Sequence, residues 1–135
     1  MPTIAVLEDD QRRITAIRAA AKQHFADYEL LMFVSAREMI EWLVSAPHDL
    51  LLLSLDCDLD STAIDDNDCG TGEDVTGYLA SNLPDCPVLI HSSNAMRAPA
   101  MHMELVLAGC KRVELCPFQD SDSWATDVRA QLDAD

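Results

Sequence analysis

Leu50-Leu51-Leu52-Leu53-Ser54-Leu55, closed by Asp56, is the stretch on which the fold turns. The run is too short for an ordinary helix, and it lacks the alternation of a half-exposed strand. Nearly continuous apolar character is expected of a strand buried on both faces, as in a parallel sheet covered by helices. It reads as the central strand.

Outward from this run, short apolar segments alternate with amphipathic ones. Thr3-Ile4-Ala5-Val6-Leu7 makes a first strand, stopped by Glu8-Asp9-Asp10. A helix follows in which Ile14, Ile17, Ala21 and Phe25 share a face, while Arg12, Arg13, Arg18 and Lys22 are left mostly to solvent. Residues 30–34 read as a second strand. Ser35-Ala36-Arg37-Glu38 is a capping box for a helix carrying Met39, Ile40, Leu43 and Val44, which Pro47 ends.

Beyond the central strand, residues 71–74 open a third helix burying Val75, Tyr78, Leu79 and Leu83. Residues 87–91 form a fourth strand, and Pro99 and Gly109 suit the first turn and the left-handed cap of a fourth helix. Residues 112–116 form a fifth strand, and Trp124, Val128 and Leu132 mark a last helix. No repeat, low-complexity block or long linker interrupts the pattern, so residues 1–135 are expected to form one domain. Five strands alternating with five helices predict an α/β, flavodoxin-like, doubly wound parallel sheet with strand order 2-1-3-4-5.

Composition narrows the function. With 24 Asp and Glu against 9 Lys and Arg, the formal net charge is −15, which repels phosphate backbones and excludes non-specific nucleic acid binding. An apolar fraction of 49% with 4 Gly and 6 Pro argues for a globular core rather than disorder. No stretch approaches the ~20 apolar residues of a membrane span, and the acids at 8–10 interrupt any apolar leader, so a cytoplasmic protein is expected. The 5 cysteines lack zinc-site spacing and read as free thiols in a reducing compartment, with Cys86, Cys110 and Cys116 as small buried apolar residues.

Right-handed crossovers bring the carboxyl ends of the strands to one edge, where ligands bind. Strand 1 delivers Glu8, Asp9 and Asp10 there, strand 3 delivers Asp56 and Asp58, and strand 4 delivers His91, Ser92, Ser93 and Asn94. Carboxylates gathered so closely repel one another unless a cation sits among them. Mg²⁺, which takes a few carboxylates and keeps waters for a phosphate to replace, fits better than Ca²⁺. His91 can act as acid or base on a phosphate ester, or serve as a structural strand-end histidine.

Ser92, Ser93 and Asn94 can donate to phosphate oxygens without adding charge, and Asn94 can equally cap the following segment. Arg97 is either a phosphate clamp or a surface arginine. Cys57 in an acidic pocket has its thiol pKa raised, which counts against a nucleophile. The stretch 60–72 is long for a strand-to-helix connection and is expected to gate the site. Its Asp60, Asp65, Asp66 and Asp68 fail the EF-hand spacing. Met96, Met101 and Met103 suit core packing or a partner face.

Leu7-Glu8-Asp9-Asp10, Leu55-Asp56, Ser92 and Pro117 together resemble the receiver domain of response regulators over essentially the full chain. The resemblance implies Mg²⁺ held by Glu8, Asp9, Asp56 and the backbone carbonyl of Asp58. It also implies Asp56 as phosphoryl acceptor and Ser92 as the hydroxyl on the phosphate. The sequence departs at Cys116, where receivers place a lysine before the proline; Lys111 and Arg112 stand at the far end of that strand.

A closer resemblance is to a divergent receiver-like group that processes cyclic phosphates. It is carried by Leu55-Asp56-Cys57-Asp58-Leu59, Gly70-Thr71-Gly72-Glu73-Asp74 and His91-Ser92-Ser93-Asn94, with Cys57 where that group has histidine. The expected function is Mg²⁺-dependent binding or processing of a phosphate ester, with Asp56 and His91 catalytic; the alternative is an atypical signalling receiver phosphorylated at Asp56. Expected partners are a phosphate-ester small molecule, or a phosphodonor and partner protein, with a homodimer as a further option. Asp56-x-Asp58 also resembles the nucleophile motif of haloacid-dehalogenase phosphatases, but too little chain follows for the rest of that fold.

Overall fold

The central run lies in the middle of the sheet. The computed structural model describes residues 2–45, 49–59 and 70–134. In chain order the elements are β1 (Thr3–Leu7), α1 (Gln11–His24), β2 (Glu29–Phe33), α2 (Ala36–Val44) and β3 (Leu50–Leu55), then α3 (Gly72–Ser81), β4 (Val88–Ile90), α4 (Arg97–Ala108), β5 (Val113–Leu115) and α5 (Ser121–Asp133). The strands pair in parallel in the order β2-β1-β3-β4-β5, the flavodoxin-like arrangement expected. Pro47 and the acids Asp60, Asp65, Asp66 and Asp68 of the expected gate lie outside the described residues.

Period-two alternation sorts the strand side chains onto two cores. Ala5, Leu7, Leu53, Leu55, Val88 and Ile90 face α2, α3 and α4, through Met39, Leu43, Val75, Leu79, Met101 and Leu105. Ile4, Val6, Leu52 and Leu89 face α1 and α5, through Ile17, Ala21, Trp124 and Val128. Phe25 packs edge-on against Trp124 at 6.1 Å between ring centroids, which locks α1 to α5.

Burial departs from expectation at element ends. The register between β1 and β3 shifts by a residue after Thr3, so Leu51 is turned out and 37% exposed; only Leu52 to Leu55 are buried on both faces. Val44 and Leu83 are exposed because they sit on the last residue of α2 and beyond the end of α3. Of the methionines, Met101 is core, while Met96 and Met103 face solvent. Cys86 is buried as expected, whereas Cys110 and Cys116 are only partly so.

The helix starts follow the capping rules. Asp10 accepts from the N–H groups of Arg12 and Arg13, and Ser35 accepts from Glu38. Asp120 accepts from Ser123. Gly109 closes α4 at φ +95°, a conformation that favours a residue without Cβ. No helix among the described residues is long and apolar enough to cross a membrane.

Candidate functional site

The hydrogen-bond ladder runs one rung past each central strand. Glu8 N–H donates to the Phe33 carbonyl, Asp56 N–H to that of Leu7, and His91 N–H to that of Leu55, at 2.9–3.0 Å. The first residue after β1, after β3 and after β4 therefore keeps strand geometry and strand parity. By that parity Glu8 continues the face of Ile4 and Val6, Asp56 that of Leu52 and Ser54, and His91 that of Leu89. All three functional side chains belong to the α1/α5 side of the sheet.

On that side they form one network. Glu8 is fully buried; its Oε2 accepts the N–H groups of Asp9 and Asp10, each at 3.1 Å, and its Oε1 lies 3.0 Å from His91 Nε2. His91 Nδ1 lies 2.7 Å from Ser54 Oγ, to which the Trp124 indole N–H also donates at 3.1 Å. The indole can only donate and an ionised carboxylate can only accept. Two protons are thereby assigned: Trp124 gives to Ser54, and His91 Nε2 gives to Glu8.

Burial works against the charged form of Glu8. The hydrogen bond and charge of His91 and the Asp10 N–H outweigh it and hold the carboxyl below its ordinary value. Asp56 goes the other way: burial and the neighbouring Glu8 charge push it up to about 7, against the N–H donated by Cys57. One ligand atom each from Glu8, Asp56 and His91 lies within 4.8 Å of the others. These three groups stand close enough together that they could hold a metal ion.

Above the network opens a cavity of about 400 Å³ lined by Glu8, Asp9, Asp10, Gln11, Arg13, Asp56, Asp58, Ser92 and Ser93. Its outer wall is tied together by ion pairs. Arg97 Nη1 is 2.8 Å from Asp58 Oδ1, and Arg97 also holds Glu73 through Nε at 2.7 Å and through Nη2. Asn94 Nδ2 donates to Asp58 at 2.9 Å, while Asn94 Oδ1 accepts from the N–H groups of Met96 and Arg97 at the start of α4.

Residues 4–106 match the family model described as the cyclic-phosphate processing receiver domain. The chain belongs to that family. No curated protein sequence matches it. Among solved structures, this receiver resembles the CheY-like receiver domain of Methanospirillum hungatei JF-1, with 15% identity, 98% of this chain and 94% of the other covered, and TM-score 0.66. It also resembles the phosphorylated cyanobacterial phytochrome response regulator RcpA, at 15% identity, 96% and 89% coverage, and TM-score 0.70. A receiver domain from Rhodospirillum rubrum matches at 20% identity, 96% and 91% coverage, and TM-score 0.67. At these identities the structural likenesses speak to the fold alone.

Of the residues expected at the receiver site, Glu8, Asp9, Asp56, Asp58, Ser92 and Ser93 meet at the cavity. His91 does not line it: the ring is fully buried beneath Glu8 with both nitrogens engaged. Asn94 serves Asp58 and the α4 terminus, and Arg97 is a partly exposed arginine paired with Asp58 and Glu73. Cys57 turns to the α2–α4 core, where burial pushes its thiol up to about 11.

Sequence reasoning missed three participants. Ser54 was readable from parity, since it is the one polar residue inside an apolar strand and shares a face with His91; Trp124, on α5, was readable only as a buried indole that needs an acceptor. Arg13, expected in solvent, is half-buried at the cavity mouth; its place in the first turn after an acidic triplet was the available signal. Gly72 is also constrained, because a Cβ there would come within 2.0 Å of the Asp56 carbonyl oxygen. The close approach brings the Gly72 N–H to the Cys57 carbonyl at 2.9 Å and fixes α3 against the site.

Proposed function

We propose that this receiver unit binds Mg²⁺ and a phosphate ester at the carboxyl edge of its sheet, and that the ester it processes is a cyclic phosphate. The observation that carries the reading is a deep acid pair, Glu8 and Asp56, beneath a polar cavity edged by the Ser92 and Ser93 hydroxyls. Glu8, Asp9, Asp56 and the Asp58 carbonyl are the groups that would hold the ion. Bound there, Mg²⁺ supplies Lewis-acid polarisation of a phosphate oxygen.

The chain's own residues divide the remaining work. Ser92 and Ser93 donate to the non-bridging oxygens, and Asp56 faces the ester. His91 acts through Glu8: its Nε2–H fixes the carboxylate plane and keeps it ionised, so it is a positioning residue in this reading rather than the acid that meets substrate. Asn94 orients Asp58. The free thiols of Cys57, Cys86, Cys110 and Cys116 favour a reducing, cytoplasmic setting.

The test is a Mg²⁺-dependent assay of wild type and Asp56→Asn against 2′,3′-cyclic nucleotides and against acetyl phosphate. Ring opening by the wild type, lost in Asp56→Asn, is the expected result. A stable acyl phosphate on Asp56 with no turnover of any cyclic ester would overturn the enzymatic reading in favour of a signalling receiver.

A further inference from the structure

Glu8, Asp9, Asp10, Asp56 and Asp58 all line the cavity, and among its described lining residues Arg13 alone carries a positive charge. An anionic ester entering such a field needs local cationic donors. The end of β5 supplies none: Cys116 is partly buried against the α1/α5 core, and burial with the nearby Asp127 and Glu114 pushes its thiol up to about 11, so it stays neutral. Arg97, beside Asp58, is committed to Glu73 and Asp58 through short contacts.

Arg13 is held differently. Its backbone N–H donates to Asp10 Oδ1 at 3.1 Å, which fixes the residue in the first turn of α1. Its guanidinium carbon lies 5.7 Å from the centroid of the Phe118 ring, so the β5 side supports the side chain by cation–π contact without spending an N–H donor. Nη2 reaches Ser93 Oγ at 3.4 Å and Nη1 lies 3.8 Å from Glu8 Oε1. The fork thus spans the mouth from the β1 edge to the β4 edge. Both contacts sit at the long end of their range, and the side chain is 30% exposed, so its donors can be exchanged for phosphate oxygens at little cost.

We propose that Arg13 is the cationic phosphate-binding residue of this site, gripping the non-bridging oxygens of the ester from the α1 side, with Ser93 on the same phosphate. This rests on the reading of the cavity as a phosphate-ester site. A planar fork also discriminates between ligands, because it pairs two oxygens of one phosphate where an ammonium would act as a point charge.

The test measures binding of inorganic phosphate and of 2′,3′-cyclic AMP to the full chain by calorimetry at saturating Mg²⁺, with Mg²⁺ binding measured separately in phosphate-free buffer. Arg13→Gln is expected to weaken both phosphate compounds by about tenfold or more. Mg²⁺ should bind that variant as tightly as wild type or more tightly, since a competing cation beside Glu8 is gone. Arg13→Lys should recover part of the loss. Arg12→Gln, which removes the same charge from the neighbouring exposed position, should stay within about twofold of wild type.

Wild-type phosphate affinity in Arg13→Gln, or an equal loss in Arg12→Gln, would overturn the assignment. So would a parallel loss of Mg²⁺ affinity in Arg13→Gln, which is what a merely structural arginine would give. Failure of the wild type itself to bind either phosphate compound with Mg²⁺ present would instead bring down the reading of the cavity, and the role of Arg13 with it.

Discussion

Glu8 and Asp58 line the same cavity as Asp56, yet the fold treats them in opposite ways. Glu8 is wholly buried and both its oxygens are engaged, by His91 on one side and two backbone N–H groups on the other. Asp58 is 57% exposed and is held by two side chains that themselves belong to the start of α4, Asn94 and Arg97. The inner wall is a fixed part of the core; the outer wall is a surface network. One carboxylate is ionised by design of the interior, and the other is merely steered. The energetic weight should follow the same division.

The comparison is broken most severely by His91→Ala. Glu8 would keep the N–H groups of Asp9 and Asp10 but lose the partner at 3.0 Å, and Ser54 and Trp124 would be left facing a void. Stranding a buried charge costs about 3–5 kcal/mol, and urea unfolding at pH 7 should register a loss of that size. The sign with pH follows from Glu8. Its folded pKa lies below the ordinary 4.5, so its contribution is complete above that value and is lost as the pH falls below it. The deficit of the variant should therefore shrink in acid. A loss below about 1 kcal/mol at neutral pH would show that Glu8 is not held as a buried anion by His91.

Asp56→Asn sharpens the contrast from the opposite direction, by stabilising the metal-free protein. Burial and the Glu8 charge raise Asp56 from 3.8 to about 7, so the folded state holds a proton that the unfolded state has released. Wild-type stability should therefore fall as the pH rises between those values and then level off. The asparagine variant keeps an oxygen for the Cys57 N–H and has nothing to ionise. It should be more stable than wild type by on the order of 4 kcal/mol above pH 7. The gap should close toward pH 4 and should narrow when Mg²⁺ is added. Thermal melts across pH with and without Mg²⁺ decide it; equal stability of the two proteins at pH 8 without metal would contradict it.

The sequence carried the strand order and the edge at which the acids gather, because apolar runs and crossover handedness settle both. It carried less of the division between walls. Spacing places Glu8, Asp9 and Asp10 after β1 alike, and only parity, followed one rung past the strand, buries Glu8 with Val6 while Asp9 and Asp10 stay more exposed. The same parity turns His91 under the site and Cys57 away from it, so strand-end residues that look equivalent in a motif have separate fates. Arg13 was harder still. A side chain on the polar side of an amphipathic helix reads as solvated, and its contacts with Ser93 and Phe118 come from residues 80 and 105 positions away.

Arg97→Gln is the mildest change and probes the outer wall. Arg97 bridges Asp58 and Glu73, and its removal leaves two carboxylates near one another with Asn94 still donating to Asp58. All three charged side chains are more than a third exposed, so water and salt screen both the attraction lost and the repulsion gained. Exposed pairs of this kind contribute less than about 1 kcal/mol, and the network should stand at the upper end of that range because one arginine serves two acids. Thermal melts in low salt should show a small decrease that disappears near 1 M NaCl, where the Debye length falls to about 3 Å. A loss of several kcal/mol that persisted in high salt would place Asp58 in the same class as Glu8 and erase the distinction between the two walls.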